Sequence, residues 1–361
     1  MMKILAKTMM AATLTCLCND SFAGEMGLQD NIFNVFVPNL KPGLEVSVSA
    51  LILQPGASNL GWGVVTTVLP IPTPEWQIES FDPGYKVGFQ AGARYIFANS
   101  GTDLQLNWFS LQTNYKDARN VKPVSQWISP FSQTGTPPTG GEITGVASLN
   151  SAKATLTFNY NAVNLDIGKF VNFGSSLQTR FFTGLGSTWI KEKLISNFYG
   201  GSKINFSLNN TSTYSGVGPR LGLTNNYYIN HGFHLIGQVA GGVLIGSMQP
   251  AQYKFTGSSS DLALVGIAVN REQLSSNSVT QVVPEIDAKI GLSYSYLMQN
   301  ESELILELGY MGTVYFNPLS AYETNTNVIA LDSGSLSTSS VKYVQSNFSV
   351  AGPYGTVRFK C

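Results

Sequence analysis

The chain is short of charge. Of its 361 residues only 12% are Asp, Glu, Lys or Arg, 21 basic against 21 acidic, where an ordinary soluble domain carries about 25%. That is too little to build a charged shell around a soluble core of this size. A net charge of zero also removes the electrostatic basis for binding nucleic acid, which rests on clustered Lys and Arg. Cysteine is scarce, at positions 16, 18 and 361. Long apolar runs are missing as well: beyond residue 23 nothing reaches the length of a membrane-spanning helix, about 20 residues. What is abundant excludes disorder, since 11% of residues are aromatic and 36 are Gly, whereas disordered chains are aromatic-poor and charge-rich. Mean hydropathy is +0.06. A low-charge, aromatic-rich, Gly-rich chain without apolar helices fits a closed β-barrel, the remaining way to satisfy backbone polar groups in lipid.

Residues 1–23 read as a secretory signal peptide. Lys3 and Lys7 supply the positive start, Thr8 to Cys18 the apolar stretch, and Ser21-Phe22-Ala23 a small-x-small site, which places cleavage between Ala23 and Gly24. Cleavage removes Cys16 and Cys18 and leaves Cys361 alone, so no intramolecular disulfide forms in the mature chain. An odd terminal thiol could cross-link subunits into a homo-oligomer; an unpaired end residue is the plainer reading. Residues 24–43 form an N-terminal periplasmic or lumenal segment, and 44–361 the barrel.

Strict alternation carries the barrel assignment. Tyr85, Val87, Phe89, Ala91, Ala93, Tyr95 and Phe97 alternate with Lys86, Gly88, Gln90, Gly92, Arg94 and Ile96, which puts the two sets on opposite faces of a strand. In a membrane barrel the apolar set faces lipid and the polar, Gly-rich set the lumen. The pattern recurs over 44–54, 103–111, 152–167, 177–190, 214–228, 233–246, 283–296, 303–315 and 341–361. The expectation is an all-β, antiparallel transmembrane barrel of about ten strands. In 152–167 the apolar set Leu156, Phe158 and Tyr160 changes parity near Ala162-Val163, which predicts a β-bulge. Short Asn/Gly-rich turns fall at 98–102, 171–174, 229–232 and 298–302. Long segments fill the alternate connections, roughly 54–83, 112–151, 191–212, 247–280 and 317–340, and are read as extracellular loops. With an even strand count both termini are periplasmic.

The inward positions test for transport. Basic residues there are Lys86, Arg94, Arg180, Arg220, Lys289, Arg358 and Lys360; acidic ones are Glu45, Asp103, Asp166, Glu285, Asp287, Glu303 and Glu307. The signs balance, and strong ion selectivity needs a ring of one sign. Barrels of about eight strands are filled by side chains and those of about sixteen hold a channel, so ten strands imply a constricted lumen. Two readings stay open: a small, weakly selective pore, or a lumen packed by ion pairs, with Arg180 and Arg220 expected to grip carboxylates bidentately. Tyr95, Phe97, Phe170, Tyr227, Tyr228, Phe233, Tyr315, Phe316 and Phe359 read as interface girdles. Loop aromatics Trp76, Trp127 and Phe131 would suit a surface partner, as in an adhesin or receptor.

Catalytic signals are weak. The only histidines, His231 and His234, sit at a periplasmic turn, and no spacing suggests a nucleophile with a base in reach, so an outer-membrane hydrolase is the least supported reading. No P-loop, dinucleotide fingerprint, metal-ligand spacing or other cofactor motif occurs. Gly216 to Gly222 sits inside an alternating strand with Pro219 where a phosphate loop needs a backbone donor, and reads as small barrel-wall residues.

Several phrases resemble one known family. Residues 214–223 (YSGVGPRLGL), 283–292 (VPEIDAKIGL), 164–168 (NLDIG), 180–184 (RFFTG) and the ending 350–361 are similar to the Legionella major outer membrane protein family. The resemblance runs from about residue 84 to the end and fades in the loops. It implies a porin-like or structural outer-membrane barrel of a Gram-negative bacterium; because family members differ in their loops, no ligand or host partner carries over from it. The partners expected of such a barrel are outer-membrane lipid and lipopolysaccharide and the barrel-assembly machinery, with a host or surface ligand at the loops if the adhesin or receptor reading holds. The resemblance carries no catalytic motif.

Overall fold

The computed structural model describes residues 41–67, 75–98, 100–122, 126–131, 149–200, 204–230, 232–257, 271–274, 277–298, 302–331 and 334–361. The signal segment, the Ala23-Gly24 pair and residues 24–40 lie outside them. Fourteen strands occur among the described residues: β1 (Gly43–Ala57), β2 (Gly61–Thr67), β3 (Glu75–Ser80), β4 (Lys86–Ile96), β5 (Thr102–Asn120), β6 (Gln126–Pro130), β7 (Leu149–Phe173), β8 (Leu177–Gly200), β9 (Ile204–Asn230), β10 (Phe233–Gly257), β11 (Arg271–Leu274), β12 (Val279–Leu297), β13 (Glu303–Leu331) and β14 (Gly334–Lys360). No helix occurs among the described residues.

Ten of these close into an antiparallel ring in the order β1-β4-β5-β7-β8-β9-β10-β12-β13-β14, with β14 pairing back onto β1. Closure removes the sheet edge at the turn end of the ring, whereas beyond it residues 111–120 of β5 and 319–331 of β13 are paired on one side only. The chain ends meet where the ring closes: Cys361 N–H donates to Leu44 O at 3.0 Å. Strand β11 adds a short third partner on β10, and β2, β3 and β6 form a separate sheet in the order β3-β2-β6.

The strands are longer than a bilayer requires, about 9–11 residues each. β8 has 24 residues and β13 has 29. The segments expected as long loops are therefore largely strand: 191–212 is the continuation of β8 and β9, 317–340 the hairpin of β13 and β14, and 54–83 and 112–151 supply β2, β3 and β6. The short turns fall where the alternation placed them.

The strand faces explain the discrepancy. Near the turn end the outward face is apolar, with Leu165, Ile167, Leu185, Val239, Ile290, Leu292 and Leu308 all exposed. Beyond this band the outward face becomes polar, as in Lys153, Thr155, Thr157, Asn159 and Asn161 on β7, while the inward face becomes apolar. Leu156, Phe158 and Tyr160 thus point inward, not to lipid. The expected bulge at Ala162-Val163 is absent, since β7 pairs continuously with β8 through Ala162↔Thr188 and Val163↔Ser187. Polarity changes sides along a straight strand because its surroundings change from hydrocarbon to water.

Candidate functional site: the barrel interior

Two layers fill the interior. The lower one, at membrane height, is a belt of ion pairs to which nine ring strands contribute charge, and the tenth, β10, an amide. Arg180 Nε sits 2.7 and 3.0 Å from the two Asp103 oxygens, and Arg94 Nε sits 3.1 Å from the same carboxylate. Arg94 also reaches Glu45 at 3.5 Å and donates to Gln105 at 2.9 Å. Arg358 pairs with Glu307 and lies 3.8 Å from Glu45. Glu307 takes a further bond from Tyr354 at 2.6 Å and pairs with Lys289 at 2.7 Å. Arg220 meets three carboxylates: Asp287 at 2.5 Å, Asp166 at 3.2 Å and Glu285 at 3.8 Å. Gln238 of β10 donates to Asp287 at 3.4 Å. Both Arg180 and Arg220 stand over the Phe182 ring, at 5.0 and 5.6 Å, which joins the two halves of the belt through cation–π contacts.

Charges buried this far from water are tolerated only when paired and hydrogen-bonded. Arg180 and Asp103 are 2% and 0% exposed. Neither arginine forms the expected fork-to-fork pair: Arg180 uses one nitrogen on both oxygens, and Arg220 spreads over several acids. Glycine clears the space. A Cβ at Gly168 would stand 2.5 Å from Arg180 Nε, and one at Gly184 would stand 2.6 Å from an Asp166 oxygen. Between the pairs lies a cavity of about 80 Å³, lined by Asp166, Arg180, Arg220, Glu285, Asp287 and Lys289 among others. That holds several waters and nothing much larger.

The remaining inward charges sit at the ends. Glu303 and Lys360 occupy paired positions at the turn-end mouth. Lys86 is exposed toward the loop end, its ammonium 5.3 Å above the Tyr115 ring. His234 is buried near the mouth, its ring tilted against Tyr228 at 5.0 Å, and His231 lies outside the described residues. Among the described residues no group of three or more His, Cys, Asp or Glu is placed to hold a metal ion.

The upper layer is apolar. Tyr160 and Tyr315 meet hydroxyl to hydroxyl at 3.0 Å, and Thr188 reaches the Tyr315 hydroxyl at 3.3 Å. Phe348 packs 5.6 Å from Tyr160 and 5.5 Å from Phe158. Above them Leu51, Leu53, Leu111, Leu156, Ile190, Leu194 and Phe198 form one buried cluster with Trp62, Val65 and Ile128 of the β2-β3-β6 sheet. Three polar contacts fix that sheet and its lead-in. Trp62 Nε1 donates to Asp117 at 3.2 Å, Asn59 Nδ2 to Glu192 at 3.0 Å and Ser58 N–H to Ser346 at 2.9 Å.

Three residues read as interface girdle point inside instead. Phe170 lies 6.0 Å from the Arg94 guanidinium, Tyr228 packs on His234, and Tyr315 is 2% exposed. Tyr95, Phe97, Tyr227, Phe233 and Phe316 are exposed on the outside. Phe131 packs on the inner sheet beside Gly61, and the side chains of Trp76 and Trp127 lie outside those described. The apolar plug was missed because its residues look identical to lipid-facing ones in a single strand; the parity change at 162 was the one signal of it.

A closed ring of ten tilted strands with an apolar outer band and a polar interior defines an outer-membrane β-barrel. The chain belongs to the family described as the Legionella pneumophila major outer membrane protein precursor, matched over residues 36–361, and is an outer-membrane protein. No curated protein matches the sequence. Three solved structures are similar over most of their length. The Escherichia coli outer membrane protease OmpT is 9% identical, covering 92% of this chain and all of that one, with a TM-score of 0.42. The translocator domain of the Neisseria meningitidis autotransporter NalP is 11% identical over 90% of both chains at 0.32. The Pseudomonas putida toluene transporter TodX is 11% identical over 90% of both at 0.28. These three differ in what their names say they do.

Proposed function

We propose that this protein is a closed, structural outer-membrane barrel whose working surface is its extracellular rim, as in an adhesin or receptor. The observation that carries the reading is the apolar layer: Tyr160 on β7 meets Tyr315 on β13 and Phe348 on β14 across the lumen, with the buried cluster beneath the inner sheet above them. A hydrated ion crossing it would shed its water among aromatic and aliphatic side chains, at a cost of several kcal/mol or more. The balanced belt lies below that layer, around a cavity of about 80 Å³. A catalytic role draws no support from this arrangement, since the buried carboxylates of the belt are paired with arginines and Lys289.

A second reading, the small weakly selective pore, draws on the polar cavity. It requires the inner sheet and the aromatic layer to move aside together. Planar-bilayer conductance of the refolded, signal-free protein separates the two, with heat-modifiable gel migration as the folding control. The closed barrel stays electrically silent at neutral pH. Stepwise openings of the unmodified protein would favour the pore.

A further inference from the structure

One buried carboxyl sits where the inner sheet is tied to the barrel. Residues 58–60 lead from β1 to β2, and two of them are bonded to strands on opposite sides of the ring. Ser58 N–H donates to Ser346 Oγ of β14 at 2.9 Å, and Asn59 Nδ2 donates to Glu192 Oε1 of β8 at 3.0 Å. Just beyond them Trp62 and Val65 of β2 enter the apolar cluster. Glu192 is 4% exposed and lies three residues past Trp189, on the rim side of the apolar band.

Its surroundings carry no opposite charge. Phe158 of β7 and Ser212 of β9 stand opposite it on the flanking strands, with Ile190 and Leu194 before and after it on β8, all buried. Ser212 Oγ accepts from Ser320 N–H of β13 at 3.0 Å. The titratable neighbours are Tyr160 of β7 and Tyr214 of β9, both opposite Ile190. Lys191 and Lys193 point outward, Asp117 of β5 accepts from Trp62 Nε1, and Lys342 of β14 is exposed four residues from Ser346. No ionised neighbour acts on Glu192: burial raises its carboxyl to about 8, and only the Asn59 bond opposes.

Two acceptors are left bare. Glu192 Oε2 and Asn59 Oδ1 are both buried without a partner, although the other halves of the same two groups are bonded to each other. Two acceptors cannot satisfy each other unless one carries a proton. We propose that Glu192 is held as the neutral acid in a cyclic pair with Asn59, Oε2–H donating to Oδ1 while Nδ2–H donates to Oε1, and that this pair is a proton-operated latch on the inner sheet. Loss of the proton removes one of the two bonds, sets two acceptors against each other and leaves a buried charge without a counter-ion. The lead-in is then freed and β2 loosens from the cluster. The latched form keeps its proton up to about 8, and the freed form releases it near 4.5. The freed population therefore rises with pH between those values, by up to about tenfold per unit, and is level above. The latch belongs to the plug and holds whether or not the lumen conducts.

Infrared difference spectra of the refolded, signal-free chain test the pair. The unmodified protein minus Glu192→Gln should show, at neutral pH, the carbonyl stretch of a protonated, hydrogen-bonded carboxyl. In Asn59→Leu that stretch should move toward the frequency of a free acid. A carboxylate signal at neutral pH would overturn the neutral acid. An unmoved band in Asn59→Leu would give the proton to another bare acceptor, such as Asn210 Oδ1, and overturn the ring. Thiol labelling tests the latch, with Cys361→Ser to remove the exposed thiol and Val65→Cys as a buried reporter on β2. Glu192→Gln makes both bonds to Asn59 without a titrating proton and stays latched. The labelling rate with Glu192 present, divided by the rate in the Gln variant, should climb by up to about tenfold per pH unit from about 4.5 to about 8. The ratio cancels the reporter's own titration, and a ratio flat with pH would overturn the latch. The spectra need no reporter, so they decide the pair even if the cysteine variant fails to fold.

Discussion

Arg220 shows how narrowly the belt is poised. It is 3% exposed and answers three carboxylates, Asp166, Glu285 and Asp287. Replacing it with Met keeps the length and removes the charge, leaving acids buried without a counter-ion. Breaking a buried pair this way costs about 3–5 kcal/mol. Arg220→Met is therefore expected to lower the urea concentration at which the heat-modifiable form disappears. Adding Asp287→Asn and Asp166→Asn should recover part of the loss; no recovery would mean that Arg220 acts through its packing on Phe182. A second residue belongs to water rather than membrane. Glu192 lies above the band, between outward Lys191 and Lys193, buried with Asn59 as its partner. Burial pushes its carboxyl up to about 8, the Asn59 bond opposing. The folded form thus holds a proton that the unfolded chain releases near 4.5, so stability is greatest at low pH. It falls as pH rises from about 4.5 to 8, by up to about 1.4 kcal/mol per unit, and levels off above. Glu192→Gln should flatten that part of the unfolding-versus-pH curve, while an unchanged slope would place its origin in another group.

At the scale of the strand, the governing fact is that one element crosses two solvents. β7 runs outward-apolar at Leu165 and outward-polar at Thr157, with its inner face opposite in both places. Arginine substitutions along it should trace that inversion. Leu165→Arg in lipid is expected to cost about 2–4 kcal/mol near the midplane, as are Val239→Arg on β10 and Leu292→Arg on β12. Thr157→Arg, outward but in water, should change unfolding by less than about 0.5 kcal/mol. Leu156→Arg, inward at nearly the same height, should cost several kcal/mol for a charge buried without a partner. Refolding yield and urea midpoint for the five would settle the register; equal cost at 156 and 157 would show it to be wrong. This is also where legibility from sequence ended. Within the band the period of two, the short turns and the closure into ten strands could all be read, because lipid outside and polar groups inside sort the residues cleanly. Beyond it Ser, Thr and Asn on the outer face look like loop composition. Leu156, Phe158 and Tyr160 carry no mark that distinguishes a plug from a lipid contact. The inward charges were legible by parity; which acid each arginine takes, and that Arg180 and Arg220 share Phe182, depends on strands far apart in the chain.

For the molecule as a whole, the barrel is a membrane protein below and a soluble one above, and the change falls at the Tyr160–Tyr315–Phe348 layer. Two barriers lie in series there: the aromatic layer itself, and the β2-β3-β6 sheet above it with Trp62 and Ile128 buried in the shared cluster. Trimming one should not open the lumen, because the other still excludes water. Tyr315→Ala with Phe348→Ala removes two rings fully buried at the layer. It is expected to lower stability by roughly 3–5 kcal/mol per aromatic, yet to leave the bilayer record silent. Replacing 58–82 by a short Gly/Ser linker removes β2 and β3 but keeps the aromatic layer, and should be silent too. Only the combination joins the wet belt to the outside. Its conductance should then be small and nearly non-selective, because the belt that remains holds Arg94, Arg180, Arg220, Lys289 and Arg358 against a similar number of carboxylates and offers no ring of one sign. Channels from either variant alone would mean that its partner barrier does not seal. Silence from the folded combination would move the constriction down into the ion-pair belt, where Arg220→Met becomes the next substitution to record.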